Sequence, residues 1–519
     1  MGTEIMRSSW KPNSIKESVV FCARATVCTM AVTFFLPAVT QAGEYNIYPR
    51  LSLKESYSDN INLDSSSEES AFVTEIIPGV SVKGVGGRFK VDLDYQLQQV
   101  FRSAGDEDNS TYHQLQADAT TELTENFFFL DADATVGQTS IVSTGTQSAD
   151  NISGSRNRQT FWTAGFSPYL TPHMNGYMDG EIRYKYDVVR SDGGVASDSE
   201  VHQQIIDLRS GHRLSQVTWS LDYSNVEEKR DSNRSNDTQY RSTNGEVRLR
   251  INSDFSTFIQ AGNYRSDFRG DTGPNSDNND GSYTTVGASW EPNAKVRIEG
   301  GVGKNNSFVT VDLTPSVMTS WLTTLRDSDV GTNTGKTWRT AFTHRAKNLD
   351  LGAVYFEDTT TYQQSLLEQD GLPTGTPQFT PTARDEVFTR KRGELSFTGA
   401  TAKSTFNLGT YTEKRSYQVT GQNEDVFGWD ASWNWRLTSK TNSVLRFSWQ
   451  KTDSDNLLPT VQRAKTESTF TSASLRLNRR MTEDVNGNLE LLRAEQDSDG
   501  LAGNYVENRI TAGITIEFN

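Results

Sequence analysis

The stretch Arg88 to Phe101, RFKVDLDYQLQQVF, decides the fold of this chain. Taken at every second residue, its apolar side chains fall on one face and its charged and amide side chains on the other. Successive residues of a β-strand point to opposite faces, so this alternation predicts a strand with one apolar wall and one wet wall. At helical spacing the same residues would scatter around the axis. The stretch is also long enough for a tilted strand that crosses a bilayer, which takes about 9–11 residues.

The same alternating unit recurs to the end of the chain, for example at residues 181–188, 217–223, 246–251, 429–437 and 510–518. Only 34% of the residues are hydrophobic, although 10% are aromatic. A globular chain is usually about 45–50% apolar. A barrel with a wet interior needs one apolar residue in two on its strands and almost none in its loops, so the composition is typical of such a barrel.

Two kinds of connection alternate between these units. Long connections rich in Asp, Asn, Ser and Gly occur at residues 191–200, 227–239, 267–282 and 453–465. The short connections are residues 84–87, 124–126, 171–173, 215–216, 252–254, 291–294, 346–348, 399–402, 438–440 and 482–484. Short turns on one rim and long loops on the other are typical of outer-membrane barrels, where they face the periplasm and the exterior.

The sequence therefore predicts an all-β protein, a transmembrane antiparallel up-and-down β-barrel with a polar lumen, short periplasmic turns and long extracellular loops. The short turns imply about 22 strands, with a range of 20–24. Residues 306–335 and 359–385 set this range, because each segment is long enough to contain another hairpin or to fold inward as a constriction. No run of residues demands a helix.

Residues 1–42 are predicted to be a cleaved signal peptide, which leaves residues 43–519 as the barrel. Lys11, Lys16 and Arg24 precede an apolar run at residues 25–39, and Ala42 offers a cleavage point. The run is shorter than a membrane-spanning helix of about 18 residues or more. Both cysteines lie in this segment, so we expect no disulfide and no thiolate metal site in the mature chain. The net charge of −15 argues against a nucleic-acid partner.

The residues with catalytic potential do not form a persuasive site. None of the five histidines has metal-ligand spacing, and we expect no cofactor and no bound metal. Ser110 with His113 is the arrangement that an outer-membrane hydrolase would need, but we expect no enzyme. Residues 300–304, GGVGK, lack the first Gly and the final Ser or Thr of a phosphate loop. Residues 277–281, DNNDG, lack the acidic twelfth residue of a calcium loop.

The wet faces of the strands carry the more informative chemistry. Mixed charge suits a hydrated channel, where each group is solvated or paired across the wall, although the same charges would also suit a wet face with no selective site. Outward Trp and Tyr residues fit the aromatic girdles at the lipid interfaces. The candidates for lining the lumen are Arg88, Lys90, Asp92, Asp94, Asp131, Asp133, Glu181, Arg183, Lys185, Glu246, Arg248, Arg250, Arg436 and Arg446.

Several short motifs resemble a known family. They are YSDNI at residues 57–61, IPGV at 77–80, DLDY at 92–95, GKT at 335–337, FTHR at 342–345 and YFED at 355–358. Together they resemble the outer-membrane β-barrels associated with the PEP-CTERM/exosortase protein-sorting system. The resemblance spans most of the mature chain, but residues 346–348, AKN, depart from the usual polar pairs of the later segment. It implies an outer-membrane barrel of bacteria that make exopolysaccharide, and it supplies no catalytic residue.

We therefore expect a bacterial outer-membrane channel that takes part in exopolysaccharide export or biofilm matrix assembly. A general diffusion porin is the alternative, and a surface enzyme or a soluble adhesin is a weaker one. The expected partners are outer-membrane lipid, the barrel assembly machinery, exopolysaccharide and periplasmic export components. Phe518 fits the terminal aromatic residue by which assembly machinery recognises such barrels, although Asn519 follows it.

Overall fold

The computed structural model describes residues 43–107, 109–192, 196–231, 237–268, 279–368, 381–457, 463–500 and 503–518. The predicted signal peptide, residues 1–42, lies outside the described residues, as does Asn519. Residues 277–278 of the DNNDG motif also lie outside them. Among the described residues, no helix is long and apolar enough to cross a membrane.

The strands form one closed antiparallel barrel. Each strand pairs with the next along the chain, except that β6 pairs with β8, and the last strand pairs with the first, for instance Leu51 with Ile516. The strands are β1 Gly43–Ser58, β2 Ala71–Gly86, β3 Phe89–Arg102, β4 Ser110–Thr124, β5 Phe128–Ser140, β6 Arg158–Leu170, β7 His173–Met174, β8 Met178–Ser191, β9 Ser199–Ser210, β10 Val217–Arg230, β11 Thr238–Arg250, β12 Phe255–Phe268, β13 Gly281–Asn293, β14 Val296–Lys304, β15 Asn306–Ser316, β16 Thr319–Ser328, β17 Gly335–Ala346, β18 Leu349–Thr361, β19 Val387–Ala400, β20 Ser404–Tyr417, β21 Asn423–Arg436, β22 Thr441–Leu457, β23 Arg463–Arg480, β24 Val485–Ser498 and β25 Tyr505–Glu517.

In the part of the chain that the structure describes, the wall of the barrel contains 24 strands, because the two-residue strand β7 pairs only with β8 and β6 pairs with β8 directly. This is the upper end of the predicted range. The additional hairpin is β15 and β16, inside the segment that left the strand number open. The sequence pattern indicates this hairpin only weakly, because its strands are short. In addition, a single residue, Asn305 with φ of 61°, replaces a long loop between β14 and β15.

The opening stretch forms β3, as predicted, but the strand begins at Phe89. Arg88 lies in the preceding turn, so its expected place in a strand was wrong. The expectation that no segment needs a helix was also wrong, because Tyr362–Leu367 forms the short helix α1. The GGVGK motif lies in strand β14, as its sequence pattern had indicated.

The outer face of the barrel changes along the strands. Toward the short turns it exposes large apolar side chains, including Ile47, Val217, Val247, Leu249 and Ile259. Because a soluble protein rarely exposes so continuous an apolar surface, this band is the lipid-facing part of an outer-membrane β-barrel.

Toward the long loops the outer face also carries ion pairs. Lys391 lies 3.3 Å from Glu357, and Lys451 lies 2.7 Å from Glu467. Charged side chains are costly on a lipid-facing surface. The long-loop ends of β18, β19, β22 and β23 therefore extend beyond the lipid-facing band.

Candidate functional site: a plugged lumen

The connection between β5 and β6, residues 141–157, turns into the barrel and contacts strands across it. We call it the crossing loop. Its Ser143 hydroxyl donates a hydrogen bond to Glu424 on β21, a strand that stands nearly opposite β6 in the ring. Gln496 on β24 donates to the carbonyl of Gly145 at 3.1 Å and accepts from the backbone N–H of Gln147 at 2.8 Å. The loop thus spans most of the lumen.

The far end of the crossing loop is held by one apolar anchor and several polar ones. Ile152 is 5% exposed and packs with Ile61, Val73 and Val100. Arg102 on β3 donates to the carbonyl of Ile152 at 2.9 Å. Burying an Ile side chain is worth about 1.5–3 kcal/mol, so this contact is a principal anchor of the loop.

Asp150 supplies the charged anchor of the crossing loop. Its carboxylate forms an ion pair with Arg509 on β25 and accepts the backbone N–H of Ile152 at 2.9 Å. Burial by itself would raise the pKa of Asp150, but the Arg509 guanidinium and the backbone N–H together hold that pKa below its usual value. The carboxylate is therefore ionised at neutral pH and attaches the loop electrostatically.

Helix α1 closes the lumen from the opposite direction. It follows β18, yet it packs against β6 and β8 nearly opposite in the ring, where Tyr362 and Leu366 join a buried cluster with Phe161 and Val189. The Tyr362 hydroxyl accepts a hydrogen bond from Gln159 at 2.6 Å. Burial raises the pKa of Tyr362, so this hydroxyl stays protonated at physiological pH.

The two inward segments meet inside the barrel. The backbone N–H of Ala383, in the connection after α1, donates to the carbonyl of Ile141 in the crossing loop at 2.8 Å. The hydroxyls of Ser143 and Thr382 lie 3.1 Å apart. We call the crossing loop together with residues 361–368 and 381–386 the plug.

The contacts of the plug identify the inner face of the wall. Gln98, Glu228 and Gln496 bond to plug residues, and directly opposed residues of antiparallel strands share a face. Following the register around the ring therefore assigns every strand an inner face. All the lumen candidates that lie on strands occupy the alternate positions that belong to this inner face. Arg88 is the exception, because it precedes its strand.

Many of the candidates form ion pairs, either along their own strand or with a strand two or three positions away in the ring. Arg50 and Asp94 form two hydrogen bonds of 2.6 and 2.8 Å. Arg183 bonds to Asp131 at 2.8 Å and to Glu181 at 2.7 Å.

A second group of candidates continues the pattern around the ring. Arg248 contacts Glu246 at 2.8 Å and Glu299 at 2.9 Å. Lys185 lies 3.1 Å from Asp187. The guanidinium of Arg248 also lies over the ring of Phe258, with 4.8 Å to its centroid.

The other candidates are more exposed or lie at the short-turn rim of the barrel. Asp92 lies 3.9 Å from Lys83, whereas Lys90, Arg250 and Arg446 are exposed. Arg436 bonds to the carbonyl of Ala402 at the short-turn rim. Arg88 pairs with Glu125 at 3.0 Å on the same rim.

The Ser110–His113 pair does not form a catalytic site. Ser110 has the inner-face parity and accepts from Arg102 at 3.2 Å, whereas His113 lies on the outer face with the Tyr95 hydroxyl 2.9 Å from its Nδ1. A serine nucleophile needs its base within hydrogen-bond reach, and opposite faces of one strand exclude this. No group of three or more His, Cys, Asp or Glu residues is placed to hold a metal within the described ranges.

A cavity of about 850 Å³ lies at the short-turn end of the lumen. Glu181, Asp207, Asp222 and Arg209 line it together with Tyr169. The rings of Tyr169 and Phe129 are stacked, with 5.0 Å between their centroids. The guanidinium of Arg183, on β8, lies 3.8 Å from the centroid of the Tyr169 ring. Asp207 and Asp222 are directly opposed in register, and the sequence analysis had not selected Asp207 as a site residue.

The plug itself was the main feature that the sequence analysis missed. Residues 359–385 had been recognised as able to fold inward, and they do so as far as they are described. The crossing loop had given no signal of its own. Its only large buried apolar residue is Ile152, in a segment otherwise similar to the extracellular loops.

Comparison with known proteins finds no matching family and no matching curated protein. Among solved structures, the FrpB iron transporter from Neisseria meningitidis matches with a TM-score of 0.46 and 11% identity, over 92% of this chain and 83% of that one. The ferric enterobactin receptor PfeA from Pseudomonas aeruginosa gives 0.42 and 11%, over 92% and 82%. The siderophore receptor PirA from Acinetobacter baumannii gives 0.45 and 8%, over 91% and 80%.

Proposed function

We propose that this protein is a gated outer-membrane channel in which the plug closes the lumen at rest and moves aside to admit a hydrophilic solute. The observation that carries the proposal is the path of the crossing loop, which reaches from β5 to β21 and β25 through the lumen. A barrel of 24 strands is too wide for its wall side chains to fill, so the inward segments determine what passes.

The nature of the plug contacts supports gating over a permanent seal. Apart from Ile152 and the face of α1, the plug is held by hydrogen bonds and ion pairs to the wall. Water can replace a hydrogen bond at a net cost of about 0.5–1.5 kcal/mol, whereas apolar packing must be broken outright. A segment held in this way can leave the wall without unfolding the barrel.

The plug also bears on the alternative functions. A general diffusion porin works with an open lumen, so the plug favours the gated channel. The separation of Ser110 from His113 removes the arrangement that had supported a surface enzyme, and the proposal includes no catalytic activity.

Exopolysaccharide is the cargo we propose. The motifs that resemble the PEP-CTERM/exosortase-associated barrels support this choice, and a wide polar lumen suits a hydrated chain. The proposed setting is export or biofilm matrix assembly with periplasmic partners. A strain that lacks the protein and still secretes normal polysaccharide would remove this cargo, although the channel itself would stand.

The channel is tested by opening it. We replace residues 142–156 with a short Gly/Ser linker and compare the conductance of this variant with that of the unaltered protein in planar bilayers. The expected result is a small conductance for the unaltered protein and at least about a tenfold larger one for the variant, because the lumen loses its main obstruction.

The matched control removes residues 65–68, an exposed segment of the β1–β2 connection that lies outside the plug. Its conductance should equal that of the unaltered protein. An unaltered protein that already conducts as a wide pore, or a loop variant that stays silent, would contradict the proposal.

A further inference from the structure

We propose that the inner wall formed by β4–β10 is a permeation path for cations, which makes the channel cation-selective. This inference rests on the proposed channel function and adds the sign of charge that the lumen favours in whatever passes. It is drawn from three features of that wall: a register row of carboxylates, a set of buried oxygens without partners, and the cavity at the short-turn end.

The carboxylate row crosses several strands at one level. Register places Asp118, Asp133, Gly165 and Asp187 side by side on β4, β5, β6 and β8. Gly165 leaves open the space between the two aspartates that flank it, since an added Cβ would overlap the Asp187 carboxylate and lie 3.0 Å from both oxygens of Asp133. Like charges directly opposed are unfavourable, so cations near this row are stabilising.

Lys185 provides part of the compensation for the row. Its amine lies 3.1 Å from Asp187. The buried Oδ2 of Asp133 has no hydrogen-bond partner. One ammonium beside this set of carboxylates leaves the row negative.

A second set of oxygens lies next to the row on its long-loop side. Thr163 Oγ1, Ser199 Oγ, Gln159 Oε1 and Gln363 Oε1 are buried without hydrogen-bond partners, and each of these residues is at most 4% exposed. Buried polar atoms are normally satisfied by protein or by ordered water, so this set indicates a hydrated seam between α1 and the wall. Hydroxyl, amide and carboxylate oxygens are the groups that hard cations prefer.

The cavity continues the path to the short-turn rim. Glu181, Asp207 and Asp222 follow one another in register on β8, β9 and β10 inside it. Asp207 therefore has a carboxylate on either side. Rings and rows of carboxylates raise the local concentration of cations and repel anions in a channel of this kind.

The charge balance of the whole wall points the same way. Within the described residues, the inner face of β4–β10 carries the cations Arg183, Lys185, Arg209 and Arg230, and Arg158 at the start of β6 is a fifth cation, which bonds to the carbonyl of Asp150 in the crossing loop. The carboxylates of this inner face are more numerous. They are Asp118, Glu122, Asp131, Asp133, Asp179, Glu181, Asp187, Asp207, Asp222 and Glu228.

The test measures the reversal potential across a KCl gradient, for the unaltered protein and for the variant with the shortened crossing loop. We expect both to pass K⁺ in preference to Cl⁻. The double variant Asp207→Asn/Asp222→Asn, made in each background, should lower the K⁺/Cl⁻ permeability ratio at least about threefold. The matched control is Glu394→Gln/Asp430→Asn, which removes two inner-face charges from the opposite wall and should leave the ratio almost unchanged.

Each outcome separates the two proposals. Conductance without preference for K⁺, or an equal effect of the control variant, overturns cation selectivity and leaves the channel standing. Absence of conductance in every variant overturns the channel itself. A heat-modifiability gel shows whether each variant has formed the barrel. Only variants that have formed it are used to judge selectivity.

Discussion

The inner walls formed by β4–β10 and by β19–β25 differ in how they handle charge. On β4–β10, carboxylates outnumber cations and several face one another directly, as Asp207 and Asp222 do. On β19–β25 the two signs are almost equal within the described residues. The cations there are Arg390, Arg392, Arg415, Arg436, Arg446, Arg476, Arg480 and Arg509, and the carboxylates are Glu394, Glu413, Glu424, Asp430, Glu490, Glu507 and Glu517.

The balanced charge of β19–β25, which we call the balanced wall, is explained by its contact with the plug; we call β4–β10 the acidic wall. Arg415 is buried between Glu413 at 2.5 Å and Glu424 at 2.9 Å, and Glu424 also accepts from Ser143 of the crossing loop. A buried charge is tolerated only with close partners, so a wall covered by the plug must be neutral overall. Below the plug, the acidic wall retains excess charge at the exposed Asp207 and Asp222, where water and mobile ions can screen it.

The comparison teaches that the balanced wall anchors the crossing loop, whereas the acidic wall remains for transport below helix α1, which itself packs on β6 and β8. Glu228 on β10 qualifies this division, because it accepts from Thr361 at 2.9 Å and so holds α1 on the acidic side. The division therefore applies below the level of the plug, where the cavity and the carboxylate rows lie.

The largest expected effect comes from Arg415→Met. This change leaves Glu413 and Glu424 buried without their shared cation, and breaking a buried ion pair in this way costs about 3–5 kcal/mol. The measurement is the free energy of unfolding in urea, followed by tryptophan fluorescence.

Arg446→Met on β22 is the matched control. Arg446 also faces the lumen but is exposed, so its loss should change stability by less than about 0.5 kcal/mol. Equal effects of the two changes would remove the distinction between a buried anchoring network and a solvated wall.

Ile152→Ala tests the apolar anchor of the crossing loop. Truncating a buried Ile costs about 2 kcal/mol or more, which multiplies the ratio of open to closed states about thirtyfold. Single-channel recording should show correspondingly more frequent opening. Val142→Ala, in the same loop at a side chain that is 37% exposed, should behave like the unaltered protein. If the Ile152→Ala variant also opens no more often than the unaltered protein, the loop is held by its polar contacts alone.

Much of the barrel could be predicted because its signals are local. The alternation in β3 depends only on neighbouring residues, and Lys90, Asp92 and Asp94 share one face of that strand in the structure. The turn pattern placed the strand number within its range, and it failed to detect only the hairpin of β15 and β16, where Asn305 replaces a long loop.

The plug could not be predicted because its contacts are distant in sequence. Asp150 and Arg509, which form its charged anchor, are 359 residues apart. Neither the crossing loop nor α1 has a repeating apolar pattern long enough to indicate a buried segment. The same limit applies to the opposition of Asp207 and Asp222, which follows from strand register and not from either residue's neighbours.

The smallest expected effect is that of Gly165→Ala, which acts on the acidic wall alone. The added methyl group would overlap the Asp187 carboxylate and press on Asp133, and such crowding of a packed site costs about 1–3 kcal/mol. Gly393→Ala on β19 is the matched control, because its methyl group would meet Thr412 at an ordinary 3.4 Å. Urea unfolding should separate the two variants. If Gly165→Ala is as stable as the control, the two aspartates have room to move apart, and the carboxylate row is not held as closely as its register implies.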